Sequence, residues 1–121
     1  MITALHALLY SEDPPTTRAF LRDVLGWPFL EHSESGPGWL IFRSGPSEIA
    51  VHPAGPPTGV HHEVSFMCDN LDTTMAELRV KGAAFEGEIE EQRWGRLTRL
   101  VVPGAGAVLL YEPKYPPAHT L

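Results

Sequence analysis

The chain has little of several features that define protein classes, and each shortage removes a class. It has 121 residues and a single cysteine, Cys68, so no disulfide can form within it. A lone cysteine is typical of a reducing compartment and predicts a cytoplasmic location. Lys and Arg number 9 against 15 Asp and Glu, which gives a net charge of −6. Nucleic acids and anionic membranes need a basic face, so neither is predicted as a partner.

Long apolar runs and a basic leader are also missing. No apolar stretch approaches the ~20 residues of a membrane span. Residues 1–10 have no basic segment and no cleavage-site pattern, so we expect no signal peptide. Apolar residues make up 43% and charged residues 20% of the chain. This balance is typical of one globular domain with a core of its own.

What the chain does have is an internal repeat. Its two halves match each other at a nearly constant offset of half the chain length. The matched pairs include His6 with Glu63, Asp13 with Asn70, Leu21 with Leu78, and Gly26 with Gly82. A unit of about sixty residues is too small to bury a core alone, so we expect the two copies to pack together. A site is then expected at their junction.

Each half is predicted to have the order β-α-β-β-β, which makes the chain α+β. The first module covers about 1–53, a Pro- and Gly-rich linker 54–60, the second module about 61–113, and a loose tail 114–121. The predicted strands are 2–10, 28–33, 39–42, 48–52, 62–68, 86–94, 97–102 and 107–111. Helices are predicted from Asp13-Pro14 to Leu25 and from Asp69 or Asn70 to the residue before Gly82, since capping residues begin them and glycines follow them.

The motifs in this order resemble the vicinal oxygen chelate superfamily, which includes glyoxalase I, bleomycin resistance proteins and extradiol dioxygenases. The segments that carry the resemblance are 6–13 with the helix 18–27, 64–72 with 76–79 and Gly82, Trp94-Gly95-Arg96, 103–106 and 111–113. The resemblance implies paired βαβββ modules that form a curved-sheet cup with the helices outside, and a homodimer. It fixes no reaction, because the superfamily includes metalloenzymes and metal-free binding proteins.

The resemblance also implies where a metal would bind. In metal-dependent members, ligands come from the first strand of each module and the last strand of one or both. Those first-strand positions are His6 and Glu63, and the usual last-strand Glu is replaced by Leu109. Because side chains alternate along a strand, Glu112 points away from the cup when Leu109 and Tyr111 point into it. Two ligands are fewer than the three of a catalytic zinc or iron site, which favours a cup without a complete metal site.

Two interpretations of this pair stay open. Without a metal, His6 and Glu63 form a hydrogen-bonded catalytic pair that acts as general acid and base or orients a polar ligand. With a β-bulge that turns Glu112 or His52 inward, a Zn, Ni, Fe or Mn ion would bind His6, Glu63 and Glu112. The protein would then be a lyase, isomerase or dioxygenase acting on vicinal oxygens.

Other residues are predicted to line the cup and contact a small organic ligand. Trp94 would stack on a flat ligand, and the hydroxyls of Tyr10 and Tyr111 would hold its polar groups. Ser65, Met67 and Leu109 would form the wall. For each aromatic residue the competing interpretation is ordinary core packing, and a cup filled by its own side chains would indicate a regulatory module. Cys68 is interpreted as a buried, unreactive thiol.

Overall fold

The computed structural model describes residues 6–31, 37–48, 50 and 63–121. The predicted linker at 54–60 and the candidate ligand His52 lie outside the described residues. Among the described helices, none has the length and apolar content that crossing a bilayer requires. The described residues form two helices and two sheets, so the chain is α+β as predicted.

The first helix, α1, runs from Pro14 to Asp23. It begins there because the Asp13 carboxylate accepts hydrogen bonds from the Thr16 backbone N–H at 3.3 Å and the Thr16 hydroxyl at 2.7 Å. Proline at the first helical position needs no N–H partner. The helix ends two residues earlier than predicted. Gly26, at φ +68°, then reverses the chain in a left-handed conformation that favours glycine.

The second helix, α2, spans Leu71–Val80 and has the same design. The Asn70 side chain accepts a hydrogen bond from the Thr73 N–H at 2.9 Å. At the other end, the N–H groups of Gly82 and Ala83 donate to the carbonyls of Arg79 and Leu78 at 3.0 and 2.9 Å. This pair of bonds is a Schellman motif, with Gly82 as the left-handed residue that the sequence predicts.

The described strands form two sheets. In the first half, β1 (Phe29–Glu31) and β2 (Leu40–Phe42) pair antiparallel. In the second half, β3 (Ser65–Met67), β4 (Phe85–Glu91), β5 (Gly95–Val102) and β6 (Gly106–Pro113) form a sheet in the order β3-β6-β5-β4. The β3–β6 pair is parallel and the other two pairs are antiparallel.

Both helices cover the same side of the four-stranded sheet, which we call the back face. It carries Phe66, Thr98, Leu100, Val102, Val108 and Leu110. One core cluster joins both helices to this face, and its members include Phe20 and Leu21 of α1, Leu71 and Met75 of α2, and Leu100, Val102, Val108 and Leu110 of the sheet. Burial of this apolar surface supplies most of the stabilisation, at about 25 cal/mol per Å². The first half of the chain therefore depends on the second for the burial of its helix.

The start of α1 is joined to the turn between β5 and β6. The Glu12 N–H donates to the Gly104 carbonyl at 2.8 Å, and the Thr17 hydroxyl donates to the Pro103 carbonyl at 2.5 Å. Gly104 has φ +84°, and a Cβ there would lie 2.6 Å from the Ser11 hydroxyl oxygen. Glycine at 104 thus allows the close approach of the two halves.

Three segments differ from the sequence-based expectation. In the strand predicted at 48–52, the described residues Glu48 and Ala50 lie outside any strand. The strand predicted at 2–10 is not seen in its described part, since residues 6–10 lie outside any strand. The tail predicted to be loose is instead bonded to the body, and its residues Ala118–Thr120 form a short 3-10 turn. Pro116 and Pro117 suggest a loose tail. However, the hydroxyl of Tyr115, which precedes them, donates a hydrogen bond to Glu48, a residue distant in sequence.

Candidate functional site

The other side of the four-stranded sheet, which we call the front face, carries the residues predicted to line the cup. Strand register places side chains in two rows across it. One row is Met67, Tyr111, Leu97 and Glu90, and the other is Ser65, Leu109, Arg99 and Glu86. The register places Ser65, Met67, Leu109 and Tyr111 on one face, and their role in lining a cup stays a prediction. Each row has one apolar residue on β3 or β6, Met67 in the first and Leu109 in the second, and each ends in a glutamate on β4.

A cluster of hydrogen bonds lies over the middle of the front face. We call it the Glu48 cluster, formed by Glu48, Tyr111, Tyr115 and the Ala118 N–H. The Glu48 carboxylate accepts from the Tyr115 hydroxyl at 2.5 Å, the Tyr111 hydroxyl at 3.4 Å and the Ala118 N–H at 2.7 Å. The two phenol oxygens are 2.9 Å apart. The cluster thus joins a loop of the first half, a strand of the second half and the tail.

The hydrogen bonds of this cluster fix its protonation. The Tyr115 hydroxyl, more than the Ala118 N–H and the Tyr111 hydroxyl, holds the pKa of Glu48 below its usual range, although desolvation opposes this. Burial and the neighbouring Glu48 raise the pKa of Tyr115, and burial raises the pKa of Tyr111. At neutral pH the carboxylate is therefore charged and both phenols remain protonated donors.

Trp94 borders the cluster just before β5. Its ring meets that of Tyr111 edge-on, with centroids 5.2 Å apart and an interplanar angle of 80°. Trp94 is 43% exposed, whereas Tyr111 is only 9% exposed. Of the two interpretations for Trp94, a fully buried core residue does not fit this exposure. An accessible aromatic face beside a charged carboxylate can stack on a flat ligand.

A cavity of about 200 Å³ opens at the charged end of the front face. Its lining includes the paired residues Glu86 and Arg99 and the paired residues Glu90 and Leu97. A β-bulge between Glu86 and Glu90 creates the space, with Gly87 at φ +71°. Drug-sized ligands occupy 300–1,000 Å³, so this cavity accepts only one polar part of such a molecule.

The predicted catalytic pair lies at the surface. His6 and Glu63 are both exposed and lie outside the strands, and no hydrogen bond or ion pair joins them within the described chain. Tyr10 is 85% exposed. The structure therefore does not place these three side chains in the cluster that Tyr111 forms. Their roles in catalysis or binding stay predictions.

Glu112, the third metal ligand of the alternative hypothesis, belongs to the back face. Its Oε1 accepts the Leu71 N–H at 2.8 Å, at the start of α2. A carboxylate there satisfies a free helix N–H and interacts favourably with the helix dipole. In residues 6–31, 37–48, 50 and 63–121, no three His, Cys, Asp or Glu side chains form a group that could hold a metal ion. The described residues thus do not fit the predicted three-ligand site.

Glu48 and Tyr115 are the site residues that sequence reasoning missed. Glu48 lies in 43–48, a segment outside the strands, and its partner Tyr115 is 67 positions away. Neither residue has a motif or a periodic neighbour that marks it. Alternation along β6 marked Tyr111, but no local signal indicates which distant carboxylate a tyrosine contacts.

The family comparison agrees with this architecture. Residues 3–113 match the family model described as the Glyoxalase/Bleomycin resistance protein/Dioxygenase superfamily. The chain belongs to this superfamily. The family membership that the sequence motifs indicate is confirmed. The match covers nearly all residues of the two predicted modules.

Solved structures show the same fold at low sequence identity. TnmS3, an antibiotic-binding protein from a Streptomyces species, has a TM-score of 0.58 and 21% identity over 94% of this chain and 100% of its own. Lactoylglutathione lyase from Agrobacterium tumefaciens has a TM-score of 0.58 and 20% identity over 86% and 88%. The fosfomycin resistance protein FosX from Listeria monocytogenes has a TM-score of 0.56 and 15% identity over 94% of each chain. No curated protein matches the chain. Identities this low establish the fold and leave function to the site itself.

Proposed function

We propose that this protein binds a small organic ligand on the front face, with its flat part against Trp94 and its polar groups toward the Glu48 carboxylate and the charged end. The carrying observation is the polarity gradient of the two rows, from Met67 and Leu109 to Glu86 and Arg99. Ligand sites combine an apolar wall with a few placed polar groups, and this face has both. The antibiotic-binding protein among the structural neighbours supports the same proposal at the level of the fold.

The proposal does not require a metal at His6, Glu63 and Glu112. Metal-dependent superfamily members gain Lewis-acid chemistry from such an ion. Here the Glu112 carboxylate accepts the Leu71 N–H on the back face, so it does not complete a three-ligand site with His6 and Glu63. His6 and Glu63 are proposed as polar residues at the edge of the site. A homodimer and a cytoplasmic location complete the proposal.

Fluorescence titration with 1-aminoanthracene, a flat aromatic amine, tests the site. Trp94→Ala should weaken binding about tenfold, because truncating an aromatic anchor costs about 1.4 kcal/mol or more. Trp39→Ala is the matched control, since Trp39 is 39% exposed and contacts Arg18 in the first half. Equal weakening by both variants, or none by Trp94→Ala, would show that the front face is not the site.

A further inference from the structure

The tail supplies two of the three hydrogen bonds that the Glu48 carboxylate accepts from the described residues. These are the Tyr115 hydroxyl at 2.5 Å and the Ala118 N–H at 2.7 Å. The third donor, the Tyr111 hydroxyl, is longer at 3.4 Å and also meets the Tyr115 oxygen. The tail therefore carries the stronger contacts to a charged group on the front face. Hydrogen bonds to an ionised carboxylate are roughly twice as strong as neutral ones.

The same segment has little else to hold it. Residues 114–121 are exposed or half-exposed, and the core cluster takes no member from this part of the described chain. Its other anchors are the Lys114 N–H to the Trp94 carbonyl at 2.8 Å and the Lys114 ammonium to Glu91 at 2.8 Å. Segments with few buried apolar contacts open at low free energy. Among the described residues, the tail beyond Lys114 is therefore held mainly by its hydrogen bonds to Glu48.

We propose that residues 114–121 are a displaceable strap, which occupies the front face by presenting Tyr115 and the Ala118 N–H to Glu48 until a ligand with its own donors replaces them. This rests on the proposed function of the front face. The Glu48 carboxylate is partly exposed and loses two charge-assisted hydrogen bonds when the tail leaves, so a ligand that brings its own N–H or O–H groups replaces them best. The ligand class is therefore a flat ring that carries an amine or hydroxyl donor.

Three variants separate the strap from the rest of the tail. Tyr115→Phe removes the hydroxyl donor and keeps the ring. Ala118→Pro removes the backbone donor at the first position of the 3-10 turn, where proline fits because Pro117 has extended backbone at φ −64°, ψ 140°. Thr120→Ala is the matched control, because it removes a tail hydrogen bond to the Pro117 carbonyl that does not involve Glu48.

The first readout is binding of 1-aminoanthracene, with anthracene as the probe that lacks a donor. Tyr115→Phe and Ala118→Pro should each bind 1-aminoanthracene about tenfold more tightly than the wild type, because the competing strap is weakened. Thr120→Ala should stay within about twofold of the wild type. In Glu48→Gln, the preference for 1-aminoanthracene over anthracene should fall at least fivefold, because the charged acceptor is lost.

The second readout is trypsin cleavage after Lys114, followed by mass spectrometry, with cleavage after Arg79 as the internal reference. If the ligand displaces the strap, 1-aminoanthracene should accelerate cleavage after Lys114 in the wild type, the reverse of ordinary ligand protection. Both strap variants should be cleaved faster without ligand. Protection of Lys114 by the probe would overturn the strap.

The two proposals fail in different ways. Unchanged probe affinity in Tyr115→Phe and Ala118→Pro, together with weaker binding in Trp94→Ala, would overturn the strap and leave the front-face site standing. No probe binding in any variant, with faster cleavage after Lys114 in the strap variants, would overturn the proposed function and with it the strap as a competitor.

Discussion

The two halves of the chain each have one capped helix and differ in what each buries. In the second half, Leu100 and Val102 are fully buried in a four-stranded sheet. In the described part of the first half, β1 and β2 pair only with each other, and Phe29 and Leu30 are 48% and 57% exposed. A two-stranded sheet alone is at best marginally stable. The difference shows that the second half is the scaffold and the first half attaches to it.

The attachments lie on opposite sides of the scaffold. On the back face, α1 buries Phe20 and Leu21 and is joined to the turn that contains Gly104. On the front face, Glu48 reaches Tyr111 and the tail. The back face is held by apolar packing, whereas the front face is held by hydrogen bonds to one carboxylate. We therefore expect contacts on the front face to open at a lower free energy than those on the back face.

The largest expected effect is on the scaffold. Leu100→Ala should lower the free energy of unfolding by about 2–5 kcal/mol, because it leaves a cavity at a fully buried position. Leu30→Ala in β1 is the matched control and should change it by less than about 0.5 kcal/mol. Urea denaturation followed by circular dichroism measures both. Equal costs at the two positions would contradict the division into scaffold and attachment.

The next effect is on the joint between the halves. Gly104→Ala places a Cβ 2.6 Å from the Ser11 hydroxyl oxygen and 2.7 Å from that of Thr17, at φ +84°. Gly106→Ala is the matched control in the same turn, with φ +77° and nothing within 4 Å. The control should cost about 1–2 kcal/mol for the backbone conformation alone. Gly104→Ala should cost at least about 1 kcal/mol more by the same denaturation, since the joint must shift. Equal losses in the free energy of unfolding for the two variants would mean that Ser11 and Thr17 can move away from residue 104 at no cost.

A smaller effect is expected inside the scaffold. Thr98 is 2% exposed, and its hydroxyl has no hydrogen-bond partner among the described residues. Thr98→Val removes this unsatisfied polar group and keeps a β-branched side chain, so it should stabilise the protein by about 1 kcal/mol. Thr98→Ser keeps the hydroxyl, loses the methyl group and should destabilise it. A lower melting temperature for Thr98→Val would show that the hydroxyl has a partner in solution.

Much of the scaffold was predictable because its signals are local. Asp13 and Asn70 start the helices, and Gly26 and Gly82 follow them, as capping chemistry requires. Alternation along β6 placed Leu109 and Tyr111 on one face and Glu112 on the other. Each of these signals depends on neighbours within a few residues.

The missed features depend on contacts between distant segments. Strand propensity at 2–10 did not produce a strand in residues 6–10, because pairing needs a partner strand as well as apolar residues. The tail looked loose since its prolines exclude regular structure, yet Glu48 holds it from the other half of the chain. The candidate site lies where these long-range contacts meet. The sequence therefore indicated its sheet residues, such as Leu109 and Tyr111, but not Glu48 and Tyr115, which contact them from distant segments.

The last prediction concerns the edge of the scaffold, where Cys68 follows β3 and packs against the core. Its Sγ lies 3.6 Å from the Tyr111 carbonyl oxygen, and burial raises the pKa of the thiol. A raised pKa lowers the thiolate fraction at pH 8, and the thiolate is the reactive form. Alkylation by iodoacetamide should therefore be slower in the native protein than in urea, and the native rate should keep rising above pH 9. An alkylation rate of the native protein equal to that in urea at pH 8 would contradict this prediction. It would show that the scaffold opens at β3 and leaves the Cys68 thiol unprotected.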